Sequence, residues 1–121
     1  DLAAGVFRYQ PSLHRLAPVA EGDRRKPLVE AAWGQRWIAQ APAILVIAAV
    51  ERRTTAKYGA RGVRYVHMEA GHAAQNVLLQ AVALGLGGTV VGAFSDGAVK
   101  DAAALPREVQ PLYLIPVGRP R

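Results

Sequence analysis

Cysteine is absent from this chain. Within its 121 residues that removes disulfides, thiolate zinc sites and a cysteine nucleophile together. Long apolar runs are missing as well. The most apolar stretch, AILVIAAV at 43–50, is far too short to cross a bilayer and reads as a buried strand. No N-terminal stretch has the pattern of a signal peptide. No serine stands in a nucleophile-elbow sequence and no two carboxylates form an evident pair, so hydrolytic chemistry has no support. His67 and His72 lie five residues apart, on different faces of a helix, whereas zinc-binding helices place their histidines at i and i+4. No metal is expected. These absences fit a cytoplasmic protein with no membrane partner.

What is present is ordinary for a folded protein. Hydrophobic residues make up 51% of the chain, which argues against disorder, and the length suits one domain over residues 1–121. The net charge is +6, and twelve of the fifteen cations are Arg. A basic balance can serve nucleic acid or a phosphorylated ligand. Here the cations are scattered, with short groups only at Arg24-Arg25-Lys26 and Arg52-Arg53. A solvated Arg-rich surface is the plainer explanation, and nucleic acid is the lesser one.

Two short strands, Val6 to Tyr9 and Leu13 to Val19, flank the turn residues Gln10-Pro11-Ser12 and read as a hairpin. Asp23 is placed to cap a helix over about 24–34, with Leu28, Val29, Ala32 and Trp33 on its apolar side. The strand at 43–50 has no polar residue, so both of its faces should be covered. A short helical or irregular linker, Arg52 to Gly59, precedes the main helix at about 61–84.

That helix is the most informative element. Val63, Val66, Ala70, Ala73, Val77, Ala81 and Leu84 mark one apolar face at helical spacing, and Met68, Gly71, Leu79 and Val82 mark a second. Arg61, Tyr65, Glu69, His72, Asn76 and Gln80 form the polar stripe. Two apolar faces call for packing on both sides, which makes the helix a candidate dimer core. Gly85 ends it. Thr89 to Phe94 reads as a strand, Ser95 or Asp96 caps a small helix through about Ala104, and Leu112 to Val117 is the last strand. The order suggests an α+β layered domain.

The glycines of residues 85–92 follow a helix and precede a strand. A dinucleotide fingerprint requires the reverse, so helix termination explains them better. Arg119 and Arg121 follow a strand and a glycine. They are either a basic tail or a clasp for a phosphate, to which Arg is suited. Lys57-Tyr58, just before the long helix, is either a surface Lys beside a packing Tyr or a pair able to take and relay a proton.

The segments GVFRYQPSLHRL, KYGARGVRYVHMEAGHAAQNVLLQAVALGLG, VVGAF and PLYLIPVGRP, in that order, resemble the C-terminal part of the nitroreductase family. Within that family the resemblance is to the branch of SagB-type, azoline-oxidising (thiazole-forming) dehydrogenases. It covers nearly all of the chain. It implies an α+β, nitroreductase-like α-β-α layered domain with an antiparallel or mixed sheet and a long central helix. Relative to the family it is N-terminally truncated, lacking the Arg/Ser-rich segment that grips FMN.

The resemblance further implies an intertwined homodimer built on helix 61–84, with FMN held at the interface. Val90, Val91, Gly92 and Ala93 would run beside the flavin ring, and Arg119 and Arg121 would contact its phosphate. Lys57 and Tyr58 match the pair associated with proton removal from a thiazoline or oxazoline ring. The implied activity is that of an FMN-dependent oxidoreductase. It would dehydrogenate azoline rings of a peptide or reduce small molecules with NAD(P)H. The alternative is a non-catalytic dimeric module that has lost flavin binding.

Overall fold

A computed structural model describes residues 2–120 of the chain. The expected hairpin is present as β1 (Gly5–Gln10) and β2 (Arg15–Glu21), paired antiparallel. β2 begins two residues later than the sequence suggests. Pro11–Leu13 forms a 3-10 turn, closed by His14 in the left-handed region at φ 45°. The Tyr9 hydroxyl and His14 Nδ1 are hydrogen-bonded at 3.0 Å across that turn.

The rest is built on a three-stranded sheet in the order β3-β5-β4, with β3 at Ala43–Ala49, β4 at Gly87–Gly88 and β5 at Gln110–Gly118. Both pairings are antiparallel, and β5 is the central strand. Neighbouring side chains on a strand point to opposite faces. Leu114 therefore faces one layer and Ile115 the other, and both are fully buried. On the Leu114 side lie α1 (Arg25–Ala31), a 3-10 turn at Arg36–Gln40, and α4 (Asp96–Ala102). They pack Leu28, Val29, Ile38, Val99 and Ala102 against Leu114 and Val91. Each large side chain buried this way is worth about 1.5–3 kcal/mol. α3 (Arg61–Ala83) packs against all three strands. The result is an α-β-α layering.

Several sequence expectations need correction. The helix expected over 24–34 stops at Ala31, because Trp33 and Gly34 both take positive φ. Trp33 then swings outward and is 71% exposed, so it does not join the apolar side. β3 is not covered on both faces: Leu45 is 41% exposed, on the same side as its register partner Ile115. The buried face of α3 runs through Gly62, Val66, Ala70, Ala74 and Ala81, with Ala73 and Leu84 exposed.

The strand expected at Thr89 to Phe94 is reduced to Gly87–Gly88 and a single bridge between Val91 and Leu114. The register is continuous, since Gly87 faces Gly118, Gly88 faces Val117 and Val91 faces Leu114. Thr89 therefore falls opposite Pro116, which has no N–H to give, and the ladder lapses there.

The expected Ser95 cap holds at α4, whereas at α1 the N-cap position falls to Arg24, which makes no side-chain cap bond, and Asp23 stands one residue further out. Ser95 Oγ accepts from Ala98 N at 3.4 Å. Asp23 Oδ1 accepts from Arg25 N at 2.9 Å, and its carboxylate is also gripped by the Arg25 guanidinium at 2.6 Å. That side-chain bond, then the backbone bond, lowers the Asp23 pKa from 3.8 to about 2.

α2 (Arg52–Tyr58) turns into α3 at Gly59, φ 58°. The two helices touch at Gly62, where an added Cβ would meet the Thr55 Cα at 2.8 Å. Gly62→Ala is accordingly expected to lower stability by about 1–3 kcal/mol, the usual cost of overpacking. Gly97, with nothing near its missing Cβ, is the control: Gly97→Ala should be neutral or stabilising by up to about 1 kcal/mol. Urea midpoints of the two variants check this, and equal midpoints would contradict the close contact. For Asp23, whose folded pKa is depressed, the stabilising contribution is present above the ordinary carboxylate range and is lost as pH falls through the folded value. A carboxyl NMR titration should find its midpoint at about 2, returning toward 3.8 in Arg25→Gln.

Candidate functional site

The bridge at Val91 determines what the segment after β4 can offer. Val91 N donates to Leu114 O at 2.8 Å, and Leu114 N donates to Val91 O at 3.0 Å. In an extended strand, successive residues direct their peptide groups to opposite edges. Both groups of Val91 point to β5, so those of Val90 and Gly92 point to the open edge. Among the described residues neither Val90 nor Gly92 has a hydrogen-bond partner. Val91 itself is in the core and supports the strip from behind. Ala93 O accepts from Gln35 Nε2 at 3.3 Å, which ties the far end of the strip to the loop after α1.

Gly92 has an ordinary backbone conformation, and an added Cβ would meet only Tyr113 Cε1, at 3.8 Å. Neither strain nor internal crowding calls for glycine there. What its lack of a side chain provides is a flat approach to free backbone donors and acceptors. A planar heterocycle with a polar edge fits such a strip. The contrast is Gly88, whose Cβ would meet Pro116 O at 3.1 Å and Leu78 Cδ2 at 3.3 Å; internal packing explains that glycine.

Arg119 directly follows β5, the strand against which Val91 is bonded. It lines an open cleft of about 280 Å³ with Trp37, Gln40, Gly88, Thr89 and Pro116. The residues that lead into the strip thus share a cleft with a guanidinium that has no ion-pair partner among the described residues. Arg121, expected to join it, lies outside the described residues. Trp37 and Thr89 were not singled out by the sequence. Only the folding of the 3-10 turn and β4 against the end of β5 brings them to Arg119.

Lys57 and Tyr58 end α2 and line neither that cleft nor a second one of about 350 Å³ between α3 and the sheet. The second cleft is lined by Ile47, Ala49, Arg53, Tyr65, Glu69 and Ala73, among others. Lys57 Nζ stands 5.2 Å from the centre of the Tyr58 ring, and that ring meets Tyr65 edge to face at 5.2 Å. Glu69 and His72 approach only to 3.8 Å, both well exposed. That is too long for a hydrogen bond. Among the described residues no group of His, Asp and Glu could hold a metal, and no helix is long and apolar enough to cross a membrane.

The second apolar face of α3 is open in the single chain. Met68 is 52% exposed, Leu79 59% and Val82 73%. Scattered apolar residues on a surface are normal, but a row of them along one helix marks an interaction surface.

Comparison with known proteins agrees on the fold. The family model described as nitroreductase family matches residues 4–119. A protein of Methanocaldococcus jannaschii assigned to the nitroreductases is 47% identical over 115 residues, 95% of this chain and 57% of that protein. The chain thus spans little more than half the length of that curated relative. Among solved structures, one assigned as a nitroreductase from Anabaena variabilis superposes with a TM-score of 0.92 at 32% identity, over 99% of this chain and 25% of that one. The E. coli microcin synthetase McbBCD complex, with truncated pro-MccB17 bound, gives a TM-score of 0.81 at 26% identity, over 100% of this chain and 47% of the matched chain. An NADPH:FMN oxidoreductase from Vibrio harveyi gives 0.67 at 27% identity, over 80% of this chain and 46% of that one.

Proposed function

Because this chain belongs to the nitroreductase family, we propose that it acts as an FMN-dependent oxidoreductase assembled from two copies. The observation that carries this reading is the open backbone strip at Val90–Ala93, with Arg119 in the cleft at its near end. The Vibrio harveyi neighbour, named for NADPH and FMN, supports it. When bound, FMN supplies the two-electron redox chemistry. The chain's own residues supply the rest. Peptide N–H and C=O groups of Val90 and Gly92 donate to and accept from the polar edge of the ring. Gly92 lets the ring lie against the backbone. The Arg119 guanidinium neutralises the phosphate, and Thr89 and Trp37 wall the cleft around it.

For the substrate we infer a peptide azoline, with small molecules reduced by NAD(P)H as the broader class. The microcin synthetase neighbour, whose structure holds a truncated pro-peptide, matches along the whole of this chain. Lys57 and Tyr58 stand side by side at the end of α2, with Lys57 Nζ 5.2 Å from the centre of the Tyr58 ring. In this reading Lys57, as the neutral amine, accepts a proton from a carbon of the azoline ring and the Tyr58 hydroxyl shares it, while the accompanying hydride would be left to the two-electron chemistry that FMN supplies. A second copy covers Met68, Leu79 and Val82 of α3, since a two-fold dimer places the same helix face against itself.

Titrating FMN into the purified protein and following its visible absorbance tests the cofactor. Uptake is expected, and Arg119→Ala should weaken it by about tenfold or more, as loss of a charge-assisted hydrogen bond does. Unchanged affinity would remove Arg119 from the phosphate site. A wild-type protein that takes up no FMN would favour the non-catalytic module. For the dimer, light scattering should give twice the 12.9 kDa chain mass, and the double variant Leu79→Glu, Val82→Glu should give the chain mass alone. A wild-type monomer, or a variant that stays dimeric, would contradict pairing through α3.

A further inference from the structure

We propose that Tyr65 of α3 is a positioning residue that fixes the Tyr58 phenol and, through it, Lys57 Nζ. The proposal rests on the reading of Lys57 and Tyr58 as the proton-handling pair.

Four side chains form one column. Lys57 Nζ lies 5.2 Å from the centre of the Tyr58 ring. The Tyr58 and Tyr65 rings meet at 5.2 Å with their planes at 89°. The Arg61 guanidinium carbon lies 5.9 Å from the centre of the Tyr65 ring. Edge-to-face contact suits the quadrupoles of two aromatic rings, and a cation within about 6 Å of a ring centre is attracted to its face. The Arg61 cation thus holds one end, Lys57 Nζ stands at the other, and the two rings hold the middle.

The two tyrosines are not equivalent. Tyr58 is the last residue of a seven-residue helix and is 48% exposed, so little besides its neighbours restrains its ring. Tyr65 sits in the second turn of a 23-residue helix, is half-buried, and lines the cleft against the sheet. Arg61, one turn before it on the same face, braces its ring. The rigid member is Tyr65, and orientation passes outward from it to Tyr58 and Lys57.

The backbone enforces this spacing. Gly59, at φ 58°, reverses the chain between α2 and α3. Gly62 then lets α3 approach so closely that an added Cβ would stand 2.8 Å from the Thr55 Cα. This approach brings Tyr58 to Tyr65, seven residues along, across the break between the helices. A proton acceptor must be held to a fraction of an ångström, because a misplacement of about 1 Å can cost about 100-fold in rate.

The test compares Tyr65→Leu, which removes the ring, with Tyr65→Phe, which keeps it. The first readout needs no cofactor: the NMR shifts of the Tyr58 ring protons, which feel the ring current of residue 65. Tyr65→Leu should move them and Tyr65→Phe should leave them in place. The second readout is oxidation of a peptide thiazoline to the thiazole by FMN-supplemented protein, with dioxygen as final acceptor. Tyr65→Leu should lower kcat by about tenfold or more, with KM changed by less than about twofold, and Tyr65→Phe should recover most of that loss.

Tyr58 shifts that ignore Tyr65→Leu overturn the column. A kcat unaffected by Tyr65→Leu, while Lys57→Ala and Tyr58→Phe abolish turnover, overturns positioning and leaves the pair standing. Full turnover in Lys57→Ala and Tyr58→Phe overturns the pair instead, and with it the catalytic meaning of the column. Should Tyr65→Leu fail to fold, Arg61→Gln removes the outer brace and keeps the ring. Broadened or moved Tyr58 ring signals support the column, and unmoved ones count against it.

Discussion

Two hydrogen bonds between Val91 and Leu114 decide what this fold can present. They anchor one residue of a segment whose ladder has already lapsed at Pro116, and by strand geometry they turn the peptide groups on either side of it outward. A full strand over Thr89 to Phe94 would alternate in the same way. It would also be held more rigidly, and Thr89 would be committed to β5. With the break, Thr89 is left in the cleft with Arg119 and Trp37. A proline in the central strand thus shapes the candidate cofactor site from the opposite side of the ladder.

The junction of α2 and α3 depends on a different constraint, the contact of Gly62 with the backbone at Thr55. It fixes the angle between a short helix and a long one and, with it, the approach of two aromatic rings. The strip and the ring column are built on separate features, one on a strand edge and one on a helix junction.

Much of this was legible in the sequence, for identifiable reasons. The long helix carries its periodicity over six turns, so its limits at Arg61 and Ala83 came within a residue of expectation. The hairpin was marked by Gln10-Pro11-Ser12, and α4 by Ser95. Val90, Val91, Gly92, Ala93, Arg119 and Arg121 were named as candidate cofactor contacts from the family resemblance alone, and the fold brings Arg119 into one cleft with Thr89, the residue before the strip. What could not be read depends on tertiary neighbours. The lapse at Thr89 requires knowing that Pro116 lies opposite it. The outward turn of Trp33 comes from a positive φ that no local pattern requires of a tryptophan. Tyr65 was visible only as part of a polar stripe, because its partner lies beyond a helix break. The Arg61–Tyr65 spacing of four was the one available hint.

The strip is tested most directly by amide NMR of the labelled protein during FMN addition. Shifts concentrated at Val90, Gly92 and Ala93, together with the Arg119 side-chain Nε, are expected, while the Val91 amide keeps the slow exchange of a group bonded to Leu114. Saturable FMN binding that leaves those amides unmoved and perturbs a different surface would show that the open edge is not where the flavin lies.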